Sequence, residues 1–262
     1  MTSNLSAAAR DTLARQDAHY LPLALPASPG WDQIAAHLRH TARLFQDPQA
    51  PSPSAAACAH INALFDRSVA AMPHAPLACK RGCAHCCRQP VLLYAPEAFF
   101  LAAQVRERPQ MAARVTEVAK TARDFPLGGV KGVECAILED DACALYAARP
   151  FSCHGFVSND LNSCISLFRD FIDIGIPQPE TFNTMRNLCR LLLLASLQAA
   201  GLSIRAYELN TAVAVVLAQD NAERRWLAGE DVLAALQTEV PPIPPQFAEL
   251  IANWSAGIAG TL

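Results

Sequence analysis

The chain has 262 residues, 52% of them hydrophobic and 17% charged, which is enough to bury a substantial core in one large domain or two small ones. A formal net charge of −3 excludes the broad basic excess of a nucleic-acid binder, and the short clusters Lys80-Arg81 and Arg224-Arg225 read as solvated surface. No stretch reaches the ~18–20 uninterrupted apolar residues of a membrane span; the best, Leu191 to Leu197, is short and reads as buried helix.

Richness in Ala and Leu with little Gly favours a mostly α protein, a single helical domain over residues 31–262 preceded by an irregular segment, residues 1–30. That segment carries Arg10, Asp11, Arg15 and Asp17 before the proline-broken run Leu21 to Pro26, a poor signal peptide, so the expected location is cytoplasmic. In a reducing compartment, clustered cysteines serve metals or catalysis more often than disulfides.

From Trp31 the apolar residues Trp31, Ile34, Leu38 and Phe45 recur at helical spacing, with Asp32, Arg39 and Arg43 toward water, which predicts a helix over 31–46. Pro48 and Pro51-Ser-Pro53 end it, and Ser54 is the expected cap of a second helix through about Ala71, burying Cys58, Ile61, Leu64, Phe65 and Val69. Cys58 reads as a small core residue. Met72-Pro-His-Ala-Pro76 breaks this helix and delivers the chain to a region rich in cysteine, about residues 76–164.

Its first knot is Cys79-Lys-Arg-Gly-Cys83-Ala-His85-Cys86-Cys87, four of the ten cysteines at C-x3-C-x2-C-C spacing. As a helix it would align Cys79, Cys83 and Cys86 on one face with Cys87 beside them; as a loop, Gly82 would let the backbone fold around an ion. Pro96-Glu97 then opens a helix ending near Pro109, and another is expected from Met111 to Ala122, before a loop marked by Gly128, Gly129 and Gly132. The runs Val133–Leu138 and Ala142–Tyr146, around Glu139-Asp140-Asp141, predict a small β-hairpin with Cys135 and Cys143 on its two strands. Cys153 and Cys164 complete the second group.

Beyond it, Asn159 or Asp160 caps a helix with Leu161, Ile165, Phe168 and Ile172 on one side. Glu180–Ala200 is the strongest long helix, and Cys189 within it reads as core. Two more helices are expected over Ser203–Gln219 and Asn221–Glu239, then a stiff Pro241–Pro245 spacer and a last short helix through Trp254.

Thiolates are the soft donors of Zn²⁺ and of iron–sulfur clusters, so Cys79, Cys83, Cys86, Cys87, Cys135, Cys143 and Cys153 form the expected ligand set. Cys164 is either an eighth ligand or a residue buried by its own apolar helix. His85 and His154, each beside a proposed ligand, are candidates to assist the site or are simply hydrogen-bonded locally. Arg149 offsets thiolate charge or is surface; Tyr146 packs over the site or fills the hairpin's core. No Gly-rich nucleotide loop, Ser/His/Asp set or pair of catalytic carboxylates points to a particular reaction.

The run C-x3-C-x2-C-C followed by C-x7-C-x-L-Y-x2-R-P-x2-C resembles the bacterial cysteine-cluster family of zinc- or iron-chelating proteins, the YkgJ type, whose motif also occurs in the flagellin lysine N-methylase FliB. The likeness covers about residues 79–153, and His154 stands where family members often have Arg. It implies a zinc or iron site, an iron–sulfur cluster such as [4Fe–4S] included. The leading expectation is therefore a metal-binding protein whose partner is that ion or cluster, with no nucleic acid and no membrane. The alternatives are an enzyme modifying a protein side chain, with lysine N-methylase-like activity as the example, and a structural zinc module of an interaction protein. Cys79-x3-Cys83-x2-Cys86 also matches radical-SAM spacing, but those enzymes need repeated βα units and this chain reads as helix after helix.

Overall fold

The computed structural model describes residues 29–47, 50–125, 131–172, 174–236, 243–260 and 262. The expectations for the first 28 residues, for Gly128 and Gly129, and for Pro241 and Pro242 lie outside them. Mostly α holds: ten α-helices and four very short strands make up the described regular structure, along with two 3-10 turns. No helix among these residues is long and apolar enough to cross a membrane.

Helix α1, Pro29–Gln46, buries Ala35, Leu38, Ala42 and Phe45. Helix α2, Pro53–Ala70, starts two residues earlier than expected. Ser52 is its cap, accepting the Ala55 N–H at 3.3 Å, because Pro53 takes the first helical position, where a missing N–H costs nothing. Ser54 instead lies inside the helix, its amide donating to Glu223 Oε1 at 2.7 Å. Strand β1, Leu92–Tyr94, runs straight into α3, Ala95–Arg106, and α4 follows over Pro109–Ala122.

The hairpin is present but short: β2 is Leu138–Glu139 and β3 Ala142–Cys143, with Leu138 opposite Cys143. Asp140 and Asp141 make the turn at φ 49° and 56°, a left-handed conformation that Asp tolerates better than most residues. Cys143 is on a strand as expected, whereas Cys135 precedes β2. Helices α5, Phe151–His154, and α6, Leu161–Phe168, come next; Asp160 caps α6 through the amides of Asn162 and Ser163. Helix α6 stops before Ile172, which is exposed rather than part of its apolar side.

Helix α7, Glu180–Ala199, is the hub, packing against α1, α2, α5 and the last helix, α10, Pro245–Ala259. Its residues Leu191 to Leu197 are buried without exception, so the run too short to span a membrane is indeed core. The region expected to be one helix, Ser203–Gln219, divides into strand β4, Ala206–Glu208, and α8, Leu209–Leu217. β4 pairs antiparallel with β1, Leu93 opposite Tyr207, and this distant partner overrides local helical preference. The expected Asn221–Glu239 helix is only α9, Ala222–Leu227, and its last residues lie outside the described set. Helix α10 runs past Trp254, and Gly257 lets it approach α1: a Cβ there would stand 2.8 Å from the Trp31 ring.

Glu97 ties this scaffold to the cysteine region. Fully enclosed, its carboxylate accepts the Tyr94 N–H at 2.8 Å and the Phe151 N–H at 2.7 Å, joining the start of α3 to the start of α5. Burial pushes its pKa from 4.5 up to about 7. The folded chain therefore holds this proton more tightly than the unfolded one. The resulting stability is complete below the ordinary value of 4.5 and is lost as pH rises through about 7, to a total of about 3 kcal/mol. Urea unfolding at about pH 5 and pH 8 should show the native protein losing stability, relative to Glu97→Gln, as pH rises; parallel pH profiles would refute the assignment.

Candidate metal centre

The first knot adopts the loop conformation. Gly82 takes φ 85°, and the Cys83 amide closes a turn onto the Lys80 carbonyl at 3.0 Å. A 3-10 turn, His85–Arg88, follows. With about three residues per turn, neighbouring side chains in such a turn point roughly 120° apart. Cys86 and Cys87, adjacent in sequence, keep their thiols within hydrogen-bond reach of each other while packing on different neighbours. Cys86 packs on the small apolar cluster of Cys164, Leu167 and Phe168 in α6. Cys87 turns toward the second group, and its carbonyl accepts the Cys135 N–H at 2.9 Å.

The cysteines accordingly gather in two adjoining sets. In the first, Cys79, Cys83 and Cys164 are electrostatic neighbours, and Cys86 packs on the cluster that holds Cys164 and also interacts with Cys79. Ser158 organises this set. Its amide donates to Cys79 Sγ at 3.3 Å, its carbonyl accepts the Ala78 N–H at 2.8 Å, and its hydroxyl reaches Cys164. In the second set, Cys153 faces Cys135, Cys87 and Cys143. There the Ile137 amide is directed at the Cys135 sulfur and the Leu145 amide at the Cys143 sulfur, each donor two residues beyond its cysteine. Cys153 enters from α5, anchored by Glu97 through Phe151. Cys86 also faces Cys153, so the two sets touch at the Cys86–Cys87 pair. Cys58 and Cys189 are buried in the helical core, as the sequence suggests, and none of the ten cysteines is in a disulfide.

Burial pushes the thiols of Cys79, Cys143 and Cys164 up, Cys135 to about 12, and Cys153 well above its ordinary range. Cys86 and Cys87 behave as one pair. The hydrogen bond from Cys86 to Cys87 raises the former and lowers the latter, so the proton resides on Cys86. Arg149 faces Cys79, Cys87, Cys143 and Cys153 and is placed to offset thiolate charge. It is held by its Nε–H donating to the Tyr146 carbonyl at 3.2 Å and by stacking 3.5 Å above the Tyr146 ring. Tyr146 is 63% exposed, so it does not fill the hairpin's core; it carries Arg149 instead.

Compared with known proteins, the chain matches no family model, no curated protein and no solved structure.

Soft sulfur donors, backbone amides aimed at three of the sulfurs and the nearby guanidinium groups of Arg149 and Arg88 together suit a thiophilic ion or cluster. The sets are gatherings of thiols rather than closed coordination shells: among the described residues, no three His, Cys, Asp or Glu side chains stand close enough to hold one ion. Of the two histidines beside proposed ligands, His154 makes a local hydrogen bond. His154 Nε2 bonds Asp66 at 2.7 Å with its ring edge-on to Phe65, and the charged neighbours of His85 are Arg169, Arg88 and Asp141. Ser158 and Glu97 are positioning residues that the sequence reading missed. Neither carries a motif, and both act through contacts with distant backbone.

The arrangement orders the reactivity of the metal-free thiols, since the thiolate is the nucleophile. Timed iodoacetamide labelling read by peptide mass spectrometry should modify Cys87 well before Cys135 and Cys153, and Arg149→Gln should slow Cys87 several-fold. Uniform labelling of the three would contradict the electrostatic description.

Proposed function

We propose that this protein binds metal through two adjoining sets of four cysteines, Cys79/Cys83/Cys86/Cys164 and Cys87/Cys135/Cys143/Cys153, each suited to a zinc ion or an iron–sulfur cluster. The observation that carries this reading is the partition itself: eight cysteines from five separate segments collect beside one another while Cys58 and Cys189 stay in the apolar core. Buried cysteine alone has no reason to distribute in this way. The likeness of the motif to the YkgJ-type family supports the same chemistry.

When bound, zinc would supply folding free energy or Lewis acidity, whereas an iron–sulfur cluster would supply one-electron chemistry. The chain's own contribution is to bring eight sulfurs together from loops, a hairpin and two short helices, to aim amides at Cys79, Cys135 and Cys143, and to place Arg149 against the accumulating negative charge. A protein-modifying enzyme and a structural zinc module would share this donor set and differ in what the metal does.

Anaerobic purification with metal analysis and visible absorption tests the proposal. The expected result is two zinc ions per chain in a colourless protein, or iron with labile sulfide in a brown one. Cys79→Ser with Cys164→Ser should remove about half of the metal, and Cys135→Ser with Cys143→Ser the other half. Complete loss from either pair would indicate one shared site, and a folded wild-type protein that takes up no metal would refute metal binding.

A further inference from the structure

A second cluster of metal-ligating side chains lies on the helical scaffold and shares no residue with the cysteine sets. His37 and His40, three residues apart on α1, share a face of that helix, and His60 meets them from the neighbouring α2. His37 Nδ1 stands 3.2 Å from His60 Nε2. The two rings are 5.3 Å apart and tilted by 43°, and the His40 ring lies 4.4 Å from that of His60. His37 and His60 are half-buried and His40 is exposed, so an ion can reach all three from solvent.

We propose that His37 and His60, completed by His40, form a binding site for a divalent transition metal such as Zn²⁺ that clips α1 to α2. Two imidazole nitrogens each about 2.0–2.1 Å from one tetrahedral ion stand roughly 3.3–3.4 Å apart, which is close to the separation already present. As placed, the three rings do not yet meet at one ion; the His37–His60 pair already has nearly the needed separation, and small ring rotations with a turn of the exposed His40 side chain bring in the third nitrogen. Metal ligation requires neutral imidazole, and the environment favours it. Burial lowers the pKa of both His37 and His60, the latter to about 4, with Arg67 and the neighbouring histidines acting in the same direction. Arg67 also opposes a bound cation, but it is exposed, so its head group is free to swing into water. Without metal, the 3.2 Å contact is a hydrogen bond between two imidazoles, one donating and one accepting.

The test is a Zn²⁺ titration of tag-free, full-length protein, followed by long-range proton–nitrogen correlation of the histidine rings. Because the readout is residue-specific, uptake of Zn²⁺ by the cysteines does not confuse it. The rings of His37, His60 and His40 should shift together. His60→Ala should weaken the response of His37 at least about tenfold, since losing a ligand costs no less than losing an outer-shell partner. Arg67→Gln, a change at an exposed position with little risk to folding, should tighten it several-fold. Rings unmoved by excess Zn²⁺, or an affinity that neither substitution alters, would overturn the site and leave only the imidazole hydrogen bond.

Discussion

One turn of 3-10 helix governs the organisation of the cysteines. His85–Arg88 packs its two adjacent cysteines on two particular surfaces, α6 and the hairpin, while their thiols stay within hydrogen-bond reach of each other. The contact between Cys135 N–H and the Cys87 carbonyl fixes one side, and the packing of Cys86 on Cys164 fixes the other. Because the two residues are covalent neighbours, the sets they join cannot separate. The proton held between Cys86 and Cys87 lies on the boundary, so ionisation on one side affects the other.

The helical scaffold and much of the cysteine region share one apolar core. α7 buries a continuous leucine run against α1, α2 and α10, an apolar core of the kind that needs no metal. The thiols lie on loops, a hairpin of two-residue strands, α5 and α6; Ile137, Leu145 and Phe151 beside the second set belong to the main core, while Cys86 and Cys164 sit on a small separate cluster. Glu97 joins these regions through the Tyr94 and Phe151 amides, and Ser158 ties the Ala78–Cys79 segment to its own. A buried carboxylate serves this purpose because it accepts two amides at once, at the cost of a raised pKa.

Much of this was legible in the sequence, and the failures have physical causes. Helical periodicity located α1, α2, α4 and α7 to within a few residues, because their apolar faces are long enough to define a period. Strands β1 and β4 were invisible: each has three residues, and each is stabilised by a partner far away in the chain. Spacing alone suggested one convergent site, with Cys164 as either ligand or core. In the fold Cys164 is both buried and beside Cys79 and Cys83, and it helps draw the first set away from the second. The histidine trio went unnoticed because His37 and His40 have a helical spacing with no meaning until α2 brings His60 against them.

In both proposed sets the metal should be surrounded by sulfur alone. X-ray absorption at the zinc or iron edge of the purified full-length protein, before any metal is added, tests it most directly. Zinc should show about four sulfur neighbours at ~2.3 Å, and iron a shell composed of sulfur. A first shell dominated by nitrogen or oxygen would contradict it.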